Sequence, residues 1–381
     1  MKRISFFTFL GLLIVSNLNA QEEQRNPITT AAPFLLIAPD ARSGAMGDMG
    51  VATSADAFSQ HYNASKYAFM PSQFTLGVFY TPWLRELTND VFLGGFTFAN
   101  RIDERSSWSA SLNYFNLGEI DLTDGNGFPI GTENLNEFSL DGAYSLKLSE
   151  QYAMGITLRY VRSDLGIESA NSTINPVNTF TVDISGYFQS DEENYGDFNG
   201  IWHGGFNISN IGPKVSYSNE GQENYMPTNL KIGGGFDFIL DNYNKITINT
   251  EFNKLLVPTP NVSVNDNGQP PYIQPDEGFF VGMFKSFSDA PNGFKEEMQE
   301  ITWALGAEYM YDNSFALRAG YFHESEMKGA RQFVTLGAGF KFKSTRLDMS
   351  YLFNTTDINN PLENTLRFSL SFDFGELYEI Y

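Results

Sequence analysis

For most of its length the chain places apolar residues at every second position, in segments of about ten residues. The segment 366–374 shows the pattern most clearly, because leucine and phenylalanine alternate with arginine, serine and aspartate. A strand has a two-residue period, so one face of this segment is apolar and the other is polar. Aromatics opposite a charged face suit a barrel with lipid outside and a polar lumen inside. The pattern therefore predicts a membrane-spanning β-barrel.

The alternation predicts an all-β fold, namely a 14-stranded antiparallel transmembrane β-barrel. Its connections are short and long in turn: 101–105 and 149–151 are short, whereas 116–135 and 254–300 are long. Outer-membrane barrels have short periplasmic turns and long external loops. We therefore expect a multi-pass protein of the cell outer membrane with both termini in the periplasm. The predicted strands are 72–81, 91–100, 106–115, 136–147, 152–162, 178–188, 201–209, 228–238, 245–253, 301–311, 315–324, 332–342, 346–354 and 365–374.

The N-terminal residues have the features of an export signal. Lys2 and Arg3 precede an apolar run over 4–15, and the small residue Ala20 follows it. The run is shorter than the roughly 18 apolar residues of a membrane-spanning helix. We predict a cleaved signal peptide at 1–20. The chain has no cysteine, so we expect neither a disulfide nor a lipid-modified cysteine.

Residues 21–71 break the alternation and are rich in glycine and alanine. A piece of about fifty residues is too small to form its own core. We predict a plug or hatch at 21–71 inside the barrel mouth, the barrel itself at 72–374, and a C-terminal tail at 375–381. Glycines within the predicted strands lack the helix and lysine of a phosphate-binding loop, so kinks, bulges or close approach of the plug explain them better. They include Gly94, Gly95, Gly204, Gly205, Gly233, Gly234, Gly235, Gly337 and Gly339.

Charge narrows the classes of function. The chain has 45 acidic against 24 basic residues, a net charge of −21 that disfavours a nucleic-acid partner. Separated histidines and the lack of cysteine argue against zinc, and the acidic turns lack the spacing of a calcium loop, so we expect no metal and no cofactor. The predicted lumen face carries charges of both signs, which favours ion pairing over an ion filter. These charges are Asp183, Lys231, Asp237, Arg318, Lys341, Asp348, Arg367 and Asp373.

Two stretches resemble a known family. Residues 39–47, Pro-Asp-Ala-Arg-Ser-Gly-Ala-Met-Gly, with Phe58 and the Tyr-Asn-Ala-Ser of 62–65, resemble the N-terminal signature of fatty-acid-channel-like (FadL-like) barrels, and particularly of the PorV (LptO) family. The Ala-Ser at its end departs from the Asn-Pro-Ala that is more usual in the superfamily. Residues 284–301 and 306–309 are similar to the PorV family specifically. The resemblance spans essentially the whole chain.

The resemblance implies a fourteen-stranded outer-membrane barrel that is a non-enzymatic part of the type IX protein secretion system. Proteins of this family associate with the very large translocon β-barrel, receive cargo by its C-terminal signal domain, and pass it to the cell-surface attachment complex. The implied partners are therefore the translocon barrel, cargo C-terminal domains, surface attachment-complex proteins and outer-membrane lipid.

The longest predicted loop, 254–300, is the candidate contact surface. Its prolines make it semi-rigid and its aromatic residues supply apolar anchors. We expect Asn292 to cap a short helix on which Phe294, Met298 and Ile301 share a side. Two interpretations remain open here: the aromatics contact a partner, or they pack back onto the barrel rim. The candidate partner-binding residues are Phe279, Phe280, Phe284, Phe287, Asp289, Pro291, Phe294 and Met298.

Two other functions compete with this prediction. A FadL-like transporter of hydrophobic small molecules would need an apolar pocket under the plug, to which Phe322 and Phe333 could contribute. A deacylase of lipid A or lipopolysaccharide would need a nucleophile and a base, and His323 and Ser325 lie on one face of a predicted strand. The orienting acid is missing and there is no Gly-x-Ser-x-Gly motif, so we predict that the protein is not an enzyme.

Overall fold

A computed structural model describes residues 25–83, 88, 90–165, 168–169, 172–173, 175–218, 223–262, 272–273, 277–356 and 364–378. The predicted signal peptide at 1–20 lies outside these ranges. No helix among the described residues is long and apolar enough to cross a bilayer.

Fourteen antiparallel strands form one closed barrel, which confirms the predicted fold class. Each strand pairs with the next in the chain, and the last pairs with the first along a register that joins Tyr80 to Phe368. We number the barrel strands β1 to β14. They are Ser72–Pro82, Phe92–Arg101, Ser106–Thr123, Pro129–Lys147, Tyr152–Asp164, Val177–Gln189, Asn199–Ile211, Asn229–Ile239, Asn244–Leu255, Ile301–Tyr311, Phe315–His323, Gln332–Phe342, Thr345–Asn354 and Leu366–Leu377.

The predicted long loop 116–135 is wrong, because most of it is strand. β3 and β4 continue past the neighbouring strands as a hairpin that turns at 124–128. A bulge between Asn116 and Gly118 shifts the register there, so Glu119 and Asp121 lie opposite Asn134 and Thr132. At the other end of the barrel, β14 runs to Leu377 and includes the first residues of the predicted tail.

The two ends of the barrel differ in their connections. One end, which we call the short rim, has the connections 102–105, 148–151, 190–198, 240–243, 312–314 and 343–344. The other, which we call the long mouth, has the connections 83–91, 124–128, 165–176, 212–228, 256–300, 324–331 and 355–365. The backbone N–H of Asn26 donates to Met327 at the long mouth, whereas that of Tyr378 donates to Pro71 at the short rim.

The described parts of the two termini therefore lie at opposite ends of the barrel, and the side of the membrane on which each terminus lies stays a prediction. The two ends differ because residues 25–71 run from the long mouth through the lumen before β1 begins. Only then does the chain enter the barrel wall, at Ser72 on the short rim.

Residues 25–71 form the plug. Two short α-helices, α1 (Ala41–Gly44) and α2 (Ser59–Tyr62), and two 3₁₀ helices, Pro33–Leu36 and Ala64–Phe69, account for its regular structure. Its large side chains are almost fully buried, and they include Met46, Met49, Tyr62, Lys66 and Tyr67. The core of the molecule is therefore the contact between plug and wall.

Glycines of the wall allow this close contact. A Cβ atom at Gly205 would overlap the backbone carbonyl of Val51, and one at Gly320 would overlap the backbone around Met46 and Gly47. Gly204, by contrast, points away from the plug, with its nearest neighbour Phe188 at 4.0 Å. Close approach of the plug is therefore the reason at Gly205, Gly233 and Gly337, whereas a Cβ atom at Gly95, Gly235 or Gly339 would meet atoms of the wall itself.

The lumen charges are paired. Arg318 Nε lies 2.5 Å from Glu308, which also binds Arg42 of the plug at 3.2 Å. Arg367 of β14 binds Asp48 of the plug at 2.7 Å. The other predicted lumen charges lie in the pairs Arg159–Asp183, Lys231–Glu251, Lys245–Asp237, Arg318–Asp348 and Lys341–Asp373. The expected mixture of signs is therefore used for internal pairing, partly between plug and wall.

The two neighbouring glycines of β7 supply a test of the plug contact. We expect Gly205→Ala to destabilise the folded barrel by about 1–3 kcal/mol, because the new methyl group overlaps Val51. Gly204→Ala should change stability little, because its methyl group faces away from the plug. The thermal unfolding midpoint of both variants in detergent, followed by heat-modifiable gel mobility, measures the difference. Equal midpoints would contradict this role for Gly205.

Candidate functional site: an aromatic surface at the long mouth

The connection between β9 and β10 carries two short helices, α3 (Phe279–Lys285) and α4 (Phe294–Gln299). Six large apolar side chains of this connection are at least half exposed. They range from 50% exposure at Phe287 and Met298 to 79% at Phe294. We call this set the aromatic surface, and it consists of Phe280, Val281, Phe284, Phe287, Phe294 and Met298.

Helix α4 is inverted relative to an ordinary surface helix. Its carboxylates Glu296 and Glu297 are buried, at 4% and 8% exposure, whereas Phe294 and Met298 face outward. Carboxylates are almost never buried unless they are paired, and a solvated helix normally hides its apolar residues instead. The orientation must therefore be imposed by partners beneath the helix.

Those partners are two lysines of the barrel. Lys254 at the end of β9 contacts Glu300 at 2.6 Å and Glu297 at 3.1 Å. Lys328, in the connection between β11 and β12, contacts Glu296 at 2.6 Å and Glu300 at 2.9 Å. We call these five residues the anchor cluster. Because all five are nearly buried, breaking one pair leaves an uncompensated charge.

Further hydrogen bonds complete the anchor cluster. The Thr259 hydroxyl donates to Glu300 at 2.5 Å, and the backbone N–H of Ala290 donates to Glu297 at 2.8 Å. The side-chain amide of Asn26, from the start of the plug, donates to Glu296 at 3.1 Å and to the Pro260 carbonyl at 3.2 Å. The plug and the aromatic surface thus share one buried polar network.

The predicted cap of this helix is wrong. Gly293, with φ of 70°, precedes the first helical residue, and its conformation is one that glycine favours. Asn292 instead donates its backbone N–H to the Glu296 carboxylate at 2.9 Å. Ile301 is not on the helix, because it begins β10. Phe294 and Met298 do share a side, as expected from their spacing.

The structure resolves the two interpretations of the candidate loop in favour of exposure. Phe280, Phe284, Phe287, Pro291, Phe294 and Met298 are all exposed. Phe279 and Asp289 are partly buried, and Phe279 lies 4.1 Å from the ring of Phe280. Whether these residues bind a partner stays a prediction.

Sequence reasoning missed the anchor cluster. Lys254, Lys328 and the glutamates are separated by up to about seventy positions, and such charges normally indicate a solvated face. The local signal available was that one six-residue helix carries both carboxylates and the apolar residues phenylalanine and methionine.

A small cavity lies beneath the long mouth, beside the anchor cluster. Its volume is about 120 Å³. Phe322 and Phe333 point inward, as expected, and contribute to it, but charged groups line it as well. The lining residues are Ile28, Leu36, Asp48, Asn229, Lys231, Asn253, Leu255, Glu300, Thr302, Phe322, Glu324, Lys328, Arg331 and Phe333. No group of metal-ligating side chains occurs in the described parts of the chain.

His323 and Ser325 make separate contacts. The His323 ring stacks on Trp303 with centroids 5.2 Å apart, and the Ser325 hydroxyl accepts a hydrogen bond from the Met327 N–H. Glu324 is paired with Arg331 at 2.7 Å. The strand ends at His323, so the two-residue spacing that would align base and nucleophile is replaced by a turn.

Comparison with known families identifies the family of β-barrels to which the chain belongs. The family model of the type IX secretion system protein PorV matches residues 19–262, well over half of the chain. The chain belongs to the PorV family. It is therefore an outer-membrane protein of a secretion-system family, and that family is not one of enzymes. The PorV match ends before residues 284–309, so it does not cover the second stretch of sequence resemblance.

Solved structures show the fold of this PorV-family chain. The monoaromatic hydrocarbon channel CymD is 12% identical, with a TM-score of 0.50 over 90% of this chain and 99% of its own. The deltaS2S3 mutant of the monoaromatic hydrocarbon channel TodX is 11% identical, with a TM-score of 0.52 over 88% of this chain and 99% of its own. No curated protein matches the chain. At these identities the likeness concerns the FadL-like fold alone.

Removing one lysine tests the anchor cluster. Lys328→Met should leave Glu296 and Glu300 short of a partner and destabilise the docked position of α4 by about 3–5 kcal/mol. We expect faster proteolysis within 277–300 for the protein in lipid nanodiscs. The matched control is Lys285→Met, because the pair of Lys285 with Glu277 is exposed and contributes little. Equal cleavage rates for both variants would show that the anchor cluster does not hold the helix.

The pH should also change how firmly the connection between β9 and β10 is docked. Burial raises the pKa of Asp289 to about 6, Glu300 and Glu297 add to the rise, and the Thr259 N–H opposes it. Because this pKa exceeds that of the unfolded chain, the contribution of Asp289 to docking is present below about pH 4 and is lost as the pH rises through about 6. Amide exchange in 277–300, corrected for intrinsic rates, should therefore show more opening at pH 7.5 than at pH 5. Asp289→Asn should remove this difference, and a persistent difference would assign it to another group.

Proposed function

We propose that this outer-membrane barrel acts in type IX secretion through protein contacts made by the aromatic surface. In this proposal the aromatic surface binds the C-terminal signal domains of cargo and the translocon β-barrel, and the protein delivers cargo to the cell-surface attachment complex. Membership of the PorV family supports the secretion role. The inverted helix α4 is the single observation that carries the proposal.

The energetics of α4 support binding to a protein. Exposed phenylalanines cost free energy in water, and here the buried carboxylates prevent the helix from rotating to hide them. Binding hot spots in proteins are rigid, preorganised apolar side chains at the centre of a contact. The aromatic surface meets that description, because buried ion pairs keep its apolar side chains exposed and fixed in position.

The lumen argues against the alternative, a transporter of hydrophobic small molecules. The cavity under the long mouth and a cavity of about 140 Å³ near the short rim are separate. Arg42, Glu308 and Arg318 are buried in the lumen, where they are paired with one another. An apolar solute that displaced these groups would leave buried charges unpaired, at a high free-energy cost.

The test replaces three apolar side chains together, as Phe284→Ser, Phe294→Ser and Met298→Ser. We expect the barrel to insert and to keep its heat-modifiable mobility, because these side chains are outside the anchor cluster. Cargo release and co-purification of the translocon barrel should fall at least tenfold, since hot-spot truncations each cost about 2 kcal/mol or more. The matched control is Tyr243→Ser, an equally exposed aromatic at the short rim.

Normal secretion by the triple variant would remove the aromatic surface from the mechanism. Normal secretion together with reduced uptake of a monoaromatic hydrocarbon would favour the transporter function instead. A variant that fails to insert is separated from both outcomes by the mobility measurement.

A further inference from the structure

The hairpin formed by β3 and β4 extends well beyond the rest of the barrel wall. β2 last pairs with β3 at Asn116, and β5 last pairs with β4 at Asn136. The hairpin continues through residues 117–135, which we call the arm. At about 3.3 Å per residue it protrudes roughly 20 Å from the long mouth.

The arm is well formed at its tip. The Asp124 carboxylate accepts hydrogen bonds from the N–H groups of Asn126 and Phe128, both at 2.9 Å. The backbone N–H of Asp124 donates to the Phe128 carbonyl at 2.8 Å. These bonds define the turn and hold the two strands in register. Phe128 and Ile130, next to the turn, are exposed.

The direction of the backbone groups follows from the ladder. The N–H of Lys147 donates to Arg105 at the start of β3, so odd-numbered residues of β4 bond to β3. Even-numbered residues of β4 point to the opposite side. Within the arm these are Thr132 and Asn134, and no strand among the described residues pairs with them; at Ile130 a second register shift, between Leu122 and Thr123, interrupts the alternation.

The other edge of the arm is partly covered. On β3, the N–H of Glu119 points outward by the same alternation, and the Asp90 carboxylate accepts it at 3.0 Å. On the β4 edge the Asn134 carbonyl accepts a long hydrogen bond of 3.5 Å from the Asn136 side chain, while the N–H of Asn134 and both backbone groups of Thr132 have no partner strand among the described residues. An open edge of alternating N–H and C=O groups is the template on which an extended segment adds as a new strand.

The charge of the arm selects the kind of segment. Residues 117–135 contain four carboxylates, Glu119, Asp121, Asp124 and Glu133, and neither lysine nor arginine. Glu119 and Asp121 lie opposite Asn134 and Thr132, so these four side chains share one face. A lysine or arginine on a strand added beside β4 would lie about 10 Å from the two carboxylates, within combined side-chain reach.

We propose that the β4 edge of the arm binds an extended segment of a partner protein that carries lysine or arginine at alternate positions. Main-chain bonds to Thr132 and Asn134 supply affinity, and the carboxylates of the arm select basic side chains. This contact is distinct from the aromatic surface, which lies six strands away around a ring of fourteen. The inference does not rest on the proposed function.

The experiment uses the full chain in lipid nanodiscs and a synthetic peptide in which lysine and valine alternate. We expect the peptide to slow amide exchange at Thr132 at least tenfold, while the amide of Glu133, which already bonds to β3, is unchanged. Raising the salt concentration should weaken the effect, and a peptide with glutamate in place of lysine should have none.

Variants on the two edges test the geometry. Thr132→Pro removes an outward N–H and should abolish protection at Asn134, whereas Thr132→Ala keeps the N–H and should retain protection. Asp121→Pro removes an outward N–H on the β3 edge instead, and this variant should retain most of the protection. Absence of protection, equal protection by the glutamate peptide, or protection that survives Thr132→Pro would each overturn the proposal. Heat-modifiable mobility confirms that every variant inserts.

Discussion

The direct contact of the plug backbone with the barrel wall is the constraint on which the rest of the structure depends. Glycines at Gly205, Gly233 and Gly320 remove the side chains that would keep the plug away from the strands. Buried ion pairs then join the two parts, as Arg42 does with Glu308 and Arg367 with Asp48. Because the lumen is filled in this way, the ends of the barrel become the surfaces on which the protein can act.

The plug is also bonded to the helix that carries part of the aromatic surface, through Asn26. The plug begins at the long mouth, where the Asn26 amide bonds to Glu296 of the anchor cluster. Helix α4 is therefore held by the barrel through Lys254 and Lys328 and by the plug through one hydrogen bond. Burial of its carboxylates offsets the cost of exposing Phe294 and Met298, so a fold-stabilising network also determines what the surface presents.

The arm and the aromatic surface lie at the same end of the barrel but present different kinds of binding group. The aromatic surface presents side chains that gain free energy when they leave water. The arm presents carboxylates and backbone groups that no described strand pairs with, and such groups recognise an extended and basic chain. A protein that engaged both would span the mouth of the barrel, because the two features lie on nearly opposite strands of the ring.

The sequence by itself determined the strands, their number, and the inward and outward faces, because each depends on a two-residue period within a short segment. It also offered close approach of the plug as one of three explanations for the wall glycines, and it favoured pairing of the lumen charges. It failed at 116–135, where β3 and β4 continue as a hairpin whose ladder shifts register at 116–118 and again at 122–123.

Only the tertiary structure decided the anchor cluster, the inversion of α4 and the open edge of the arm. Lys254, Lys328 and Glu296 are distant in the chain, and nothing local distinguishes their charges from solvated ones. Their burial depends on how three connections meet at the long mouth. Charge burial and strand pairing are properties of which segments become neighbours, and a periodic pattern does not encode the neighbours of its connecting loops.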